Sequence, residues 1–160
     1  MNYVKRAREV FDIELDALPQ TRARLDDNFS AAVDIVVASV RNKGKVIVTG
    51  VGKAGNLGHK IAATLTSTGA TSVVLDAVNA LHGDLGLIAD GDVVLALSYS
   101  GETEELLRIL PAIKRFDVKI IAVTGYPKSR IARHSDVVLN VHVRKEACPF
   151  NLAPTSSTTA

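Results

Sequence analysis

The chain has 160 residues, 47% of them apolar, which is enough for one substantial core, and its formal net charge of +2 excludes both an acidic tail and a polybasic nucleic-acid surface. With no Trp and only 4% aromatic residues it also lacks the stacking platforms that single-stranded nucleic acid requires. A single cysteine, Cys148, excludes an intramolecular disulfide and a multi-cysteine metal centre, and no apolar run has signal-peptide or membrane-span length, so a cytoplasmic protein is expected.

In chain order, Val4, Ala7, Val10, Phe11, Leu15 and Leu18 recur at helical spacing and predict an amphipathic helix over 3–18, which Pro19 should stop. Leu25, Phe29, Ala32, Val33, Val36, Val37 and Val40 continue a second stripe up to Asn42-Lys43-Gly44, a C-terminal stop. These two helices make up 1–44, packed on the core or at an oligomer interface. Short β-branched runs then alternate with helical stretches: strands over 45–49, 71–76, 92–97, 119–124 and 137–143, helices over 53–68, 102–116 and 129–134. That alternation predicts one α/β domain with a core over 45–160, its five-stranded, largely parallel sheet doubly wound in the flavodoxin or Rossmann manner. The tail over 153–160 is a disordered terminus or the start of a helix.

Open parallel sheets bind ligands beyond the carboxyl ends of their strands, where helix N-termini offer free amides to anions. Two loops qualify. Gly50-Val51-Gly52-Lys53-Ala54-Gly55 follows a strand and formally matches the dinucleotide pattern, with Asp76 about 20 residues on as a ribose-binding acid. Lys53 argues against a pyrophosphate, which needs close backbone approach, and Ala54 stands where a P-loop has Ser or Thr. Lys53 also opposes the dipole of the helix it opens, which calls for a compensating anion. The second loop, Ser98-Tyr99-Ser100-Gly101-Glu102-Thr103, gathers three Ser/Thr hydroxyls and a tyrosine around a glycine at the mouth of a helix. One hydroxyl would serve as an ordinary cap; the cluster fits a phosphate dianion better. The histidines His59, His82, His134 and His142 lack ligand spacing, so neither a metal nor a cofactor is expected.

The second loop resembles the phosphate-binding signature of sugar isomerase (SIS) domains. The first loop, Lys60-Ile61-Ala62-Ala63-Thr64, His82-Gly83-Asp84-Leu85-Gly86, Lys145-Glu146-Ala147-Cys148-Pro149 and the tail from Leu152 to Ala160 are similar to bacterial arabinose 5-phosphate isomerases. The resemblance implies interconversion of ribulose 5-phosphate and arabinose 5-phosphate through an enediol, in the supply of the Kdo sugar of lipopolysaccharide. It also implies a homotetramer whose subunits complete each other's sites, a possible nucleotide-sugar feedback ligand, and a catalytic module without the tandem CBS pair that usually follows. Its phosphate-binding positions are Gly52, Lys53, Ser98, Ser100, Gly101 and Thr103. Its acid/base candidates are Glu105 and Glu146, either of which suits proton abstraction, with Lys53 stabilising charge on oxygen and His82 bonding substrate hydroxyls or relaying a proton.

Each acid/base candidate also has an ordinary explanation: favourable first-turn charge for Glu105, a solvated charge run for Glu146, a turn histidine for His82. Three positions depart from the family pattern: Ala54 for a serine, Tyr99 for a small polar residue, and Asn79 for a glutamate. These departures leave open a non-catalytic module that senses a sugar phosphate or nucleotide sugar. A hexose or heptose phosphate isomerase and a nucleotide-dependent oxidoreductase are further alternatives.

Overall fold

The computed structural model of the chain describes residues 2–160. Helices α1 (Tyr3–Arg22) and α2 (Asp27–Arg41) precede five strands, β1 (Val46–Gly50), β2 (Ser72–Leu75), β3 (Val93–Leu97), β4 (Lys119–Thr124) and β5 (Val137–Asn140). Between and after them lie α3 (Lys53–Ser67), α4 (Ala77–Ala80), a 3-10 turn at Asp84–Leu87, α5 (Glu104–Ile113), α6 (Arg130–Arg133) and α7 (Ser156–Thr159). The strands form one sheet in the order β2-β1-β3-β4-β5, and every pairing is parallel. That order reverses direction between β1 and β3, which makes the carboxyl ends of those two strands the topological switch point.

Both sheet faces are covered, which is why the strands read as near-continuous apolar runs. On one face Ile47, Leu75, Val94, Ala96, Ile120 and Ala122 meet Leu106, Ile109, Leu110 and Ile113 of α5 together with Ile131 of α6. The α5 residues recur at i, i+3, i+4 and i+7, the stripe a core-facing helix needs. On the other face Val46, Val48, Val93, Leu95, Leu97 and Ile121 meet α2 and α3. Gly58 lets α3 approach closely: a Cβ there would stand 3.2 Å from Val48 Cγ1.

The edge opposite the switch point is stapled by acids. Asp92, 3% exposed, accepts from Lys45 N at 3.0 Å, Ala89 N at 2.8 Å and Lys45 Nζ at 2.6 Å, tying the starts of β1 and β3. Asp136 does the same for β4, accepting from Ile120 N at 2.9 Å and Lys119 Nζ at 3.2 Å. Although burial acts to raise the Asp136 pKa, these bonds outweigh it and hold the carboxyl below its usual range.

Several expected boundaries move. Helix α1 continues through Pro19 to Arg22: the proline removes its own N–H bond, but its carbonyl still accepts from Ala23 N at 3.0 Å. Strand β5 ends at Asn140 rather than at 143: the Asn140 side chain accepts from His142 N at 3.0 Å and turns the chain off the ladder. Helix α5 starts at Glu104 and ends at Ile113, shorter than 102–116 at both ends. The tail is ordered, with α7 in it. Asp76 is not held for a ribose; its side chain accepts from Val78 N at 2.9 Å and Asn79 N at 2.8 Å as the cap of α4.

Candidate functional site

At the switch point, a cavity of about 590 Å³ opens between the two glycine loops and the segment after β5. The β1–α3 loop contributes Val51, Lys53 and Ala54, the β3–α5 loop Ser98, Tyr99, Ser100 and Thr103, and the segment after β5 His142 to Glu146. The backbone makes this possible. Gly52 takes φ 61° as the N-cap of α3, so Lys53 opens the helix with no side chain capping it.

The β3–α5 loop shapes itself. Ser98 Oγ accepts from Gly101 N at 3.1 Å and lies 2.8 Å from Thr103 Oγ1, while Ser100 Oγ accepts from Glu102 N at 3.2 Å. Thr103 occupies the N-cap position of α5 but makes no side-chain cap bond, because its hydroxyl is paired with Ser98. The capping explanation for the hydroxyls therefore fails at this residue, and the first-turn amides of α5 have no side-chain acceptor. Gly101 has φ 64°, and a Cβ on it would collide with the Ser129 side chain. Only glycine fits there.

Charge around the loop is arranged to favour an anion. Arg130 draws Glu102 and Glu104 away into ion pairs, and the Glu102 carboxyl is held below its usual range by hydrogen bonds from Arg130. Lys53, Arg144 and Lys145 line the cavity against one carboxylate, Glu146. Among the described residues Lys53 makes no ion pair.

Glu146 is 9% exposed. Its Oε2 accepts from Thr155 N at 2.7 Å, Thr155 Oγ1 at 2.9 Å and Ser157 N at 3.3 Å, while Oε1 has no hydrogen bond among the described residues. Burial pushes the carboxyl pKa up, but the bonds from Ser157 and Thr155 outweigh it, so the group sits below the ordinary carboxylate range. One oxygen is fixed and the other is free, on a group that is anionic at neutral pH. Such a carboxylate can take a proton from carbon; it has none to give.

The cavity gathers Lys53, Ser98, Ser100, Thr103 and Glu146 of the expected residues, with Gly52 and Gly101 in its loops. Glu105 lies in the first turn of α5, half-buried, and His82 is exposed between α4 and the 3-10 turn; neither lines the cavity of its own chain. Sequence reasoning gave no role to Tyr126, His142, Arg144, Asn151 or Ser157, which all line it. The hydroxyl-rich tail was the one available signal for the last of these, since Thr155 and Ser157 hold Glu146. Among the described residues no group of three or more His, Cys, Asp or Glu side chains is placed to hold a metal ion, and no helix is long and apolar enough to cross a membrane.

An all-parallel sheet with a hydroxyl-lined, cationic cavity at its switch point defines a doubly wound α/β domain whose cleft suits an anion. The family model for the SIS domain matches residues 39–160, and the chain belongs to that family. Curated relatives include the arabinose 5-phosphate isomerase KdsD of Francisella tularensis, 47% identical over 99% of this chain and 49% of the relative. KdsD of Escherichia coli K12 is 45% identical over 99% of this chain and 48% of the relative. The chain thus spans about half the length of the curated relatives it matches. A solved structure of E. coli CFT073 c3406 in complex with arabinose 5-phosphate superposes with a TM-score of 0.92 at 34% identity, covering 99% of this chain and 82% of that one. The phosphoheptose isomerase GmhA of Neisseria gonorrhoeae, at 22% identity and a TM-score of 0.79 over 99% of this chain and 91% of that one, shares the fold.

Proposed function

We propose that this chain is the SIS portion of an arabinose 5-phosphate isomerase, which interconverts ribulose 5-phosphate and arabinose 5-phosphate in the cytoplasm for lipopolysaccharide synthesis. The observation that carries the reading is one cavity containing an uncapped hydroxyl loop, an unpaired lysine and a carboxylate held by a single oxygen. The relatives named for this activity, and the arabinose 5-phosphate complex of a structural neighbour, supply the choice of pentose.

In this reading the phosphate docks on Ser98, Ser100, Thr103 and the amides opening α5, with Gly52 and Gly101 allowing close backbone approach. Glu146 takes the proton from the carbon beside the carbonyl through its free Oε1. Lys53 stabilises the negative charge that then develops on the enediolate oxygens. Glu146, protonated by that step, returns the proton to the neighbouring carbon, and proton transfer between the two oxygens falls to another group. Glu105 and His82 remain the candidates, brought to the site by a second subunit or by movement of the loops.

A homotetramer would meet that need. Tyr3, Val4, Phe11, Leu15 and Leu18 of α1 and Phe29, Val33 and Val37 of α2 are all exposed, apolar side chains that a second subunit would cover.

The test is incubation with ribulose 5-phosphate in D2O, following arabinose 5-phosphate and deuterium at C1 and C2. Glu146→Gln and Lys53→Ala should each slow turnover by about a hundredfold or more. Absence of both product and carbon-bound deuterium would defeat the reading, and saturable binding without turnover would point to a sensor. A parallel arm with a nucleotide sugar asks whether a pathway end product also binds.

A further inference from the structure

Past Val141, whose N–H still donates to Thr124 O at 3.0 Å, the chain leaves the ladder, yet Val143 is 4% exposed, so its N–H and C=O must be bonded by something else. Both find the same atom. Val143 N donates to the Tyr99 phenolic oxygen at 3.1 Å, and the Tyr99 hydroxyl donates to Val143 O at 3.3 Å. A phenol can do this because it is donor and acceptor at once. Burial raises the Tyr99 pKa above its ordinary value, so the proton it donates stays in place at neutral pH.

The ring is fixed as firmly as its hydroxyl. Gly125 packs flat against it, and a Cβ at Gly125 would stand 2.7 Å from Tyr99 Cε2. Tyr126 meets Tyr99 edge-on with ring centroids 5.8 Å apart, and His142, on the same segment as Val143, meets Tyr126 edge-on at 5.7 Å. The Tyr99 carbonyl accepts from Gly125 N at 2.9 Å and Thr124 Oγ1 at 3.1 Å, which anchors the residue to the end of β4. Among the described residues no other hydrogen bond joins 98–103 to 141–155.

We propose that Tyr99 is a positioning residue that couples the phosphate loop to the Glu146 carboxylate, through a hydroxyl bonded to both backbone groups of Val143. Ser98 and Ser100 flank Tyr99 in the loop, and Glu146 lies three residues past Val143. Ordering the loop with an anion therefore orders the segment that carries the carboxylate. The catalytic consequence rests on the isomerase reading; the mechanical coupling does not.

Tyr99→Phe keeps the ring and removes the tether. Hydrogen exchange in the full chain should show the Val143 amide exchanging about tenfold faster in the variant, the loss expected for one hydrogen bond of ordinary net strength. Saturating inorganic phosphate should slow exchange over 143–147 in the parent protein but not in Tyr99→Phe, while phosphate affinity stays within about threefold. Equal slowing in both proteins, or unchanged exchange at Val143, overturns the proposal. If phosphate binds neither protein, the loop has been misread, and the phosphate-free comparison at Val143 still decides the tether. In an assay of isomerisation, Tyr99→Phe should lower kcat about tenfold with KM within about twofold. A raised KM at unchanged kcat would show that the tyrosine serves binding alone and would overturn the positioning role.

Discussion

The loop from Ser98 to Thr103 and the segment over 141–155 face the same cavity but owe their shapes to different forces. The loop is built by its own backbone and short side chains: Ser98 holds Gly101 and Thr103, and Gly101 fits against Ser129 where no other residue would. The segment has no regular structure. It is pinned at intervals by side chains from elsewhere, Arg24 on His142 O at 2.6 Å, Tyr99 on Val143 and Arg6 on Ala147 O at 3.0 Å, and by its own Thr155 on Glu146. A wall of the first kind is shaped mainly by contacts within itself. A wall of the second kind holds a carboxylate whose position depends on each distant pin, and it is the wall that can respond to a ligand or a neighbour.

Four perturbations separate the two, beginning with the largest effect. Gly101→Ala forces a Cβ into Ser129 at a left-handed backbone position, and should cost about 3 kcal/mol of stability or more. Urea denaturation measures it, and a near-neutral result would mean the loop yields as easily as the segment.

Ser98→Ala removes a hydroxyl from the cradle and should weaken inorganic phosphate binding by roughly tenfold to a hundredfold, as for a lost hydrogen bond to a charged group. Calorimetry reads the change. Binding left intact would move the anion site elsewhere.

Thr155→Val removes one of the three bonds to Glu146 Oε2 and also the acceptor of the Ala147 N–H at 2.7 Å, and should cost about 2 to 3 kcal/mol at neutral pH. Because the folded Glu146 pKa lies below its ordinary value, the ionised carboxylate stabilises the fold above that ordinary value. The contribution fades as pH falls through the folded pKa. The gap between Thr155→Val and the parent should therefore narrow on acidification, in urea titrations run at neutral pH and at about pH 3. A gap independent of pH would mean that Thr155 acts through packing and its bond from Ala147 N, and not through the carboxylate.

Arg130→Ala should have the smallest effect. Its pairs with Glu102 and Glu104 are exposed, so the stability difference should shrink further at about 1 M salt. Its clearer signature is weaker phosphate binding, as two carboxylates lose their counter-charge near the loop. Unchanged binding would show that those acids never bear on the anion.

Of the fold, the five strands and the crossover helices were legible because β-branched runs and i, i+3, i+4 stripes record directly which faces are buried. The α5 stripe Leu106, Ile109, Leu110 and Ile113 is the clearest example. The loop was legible too, since Ser, Gly and Thr at a strand-to-helix junction have few other uses. Pro19 misled because a proline removes its own N–H bond but leaves its carbonyl to accept from the residue that follows the helix, Ala23. Strand β5 misled because Val141 and Val143 continue an apolar alternation whose ladder is ended by a side-chain bond from Asn140 to the backbone at His142.

The sequence by itself determined the α/β class, the two strand-to-helix loops that line the cavity and the resemblance to sugar isomerases, because these are written in local periodicity and contiguous motifs. Only the tertiary structure decided that Glu146 is gripped through one oxygen by Thr155 and Ser157, and that Tyr99 reaches across to Val143. The same packing left Glu105 and His82 off the cavity of their own chain. The reason is physical: such contacts join residues from 9 to 44 positions apart, and their hydrogen bonds depend on where the folded sheet brings distant backbone groups, which no local pattern records.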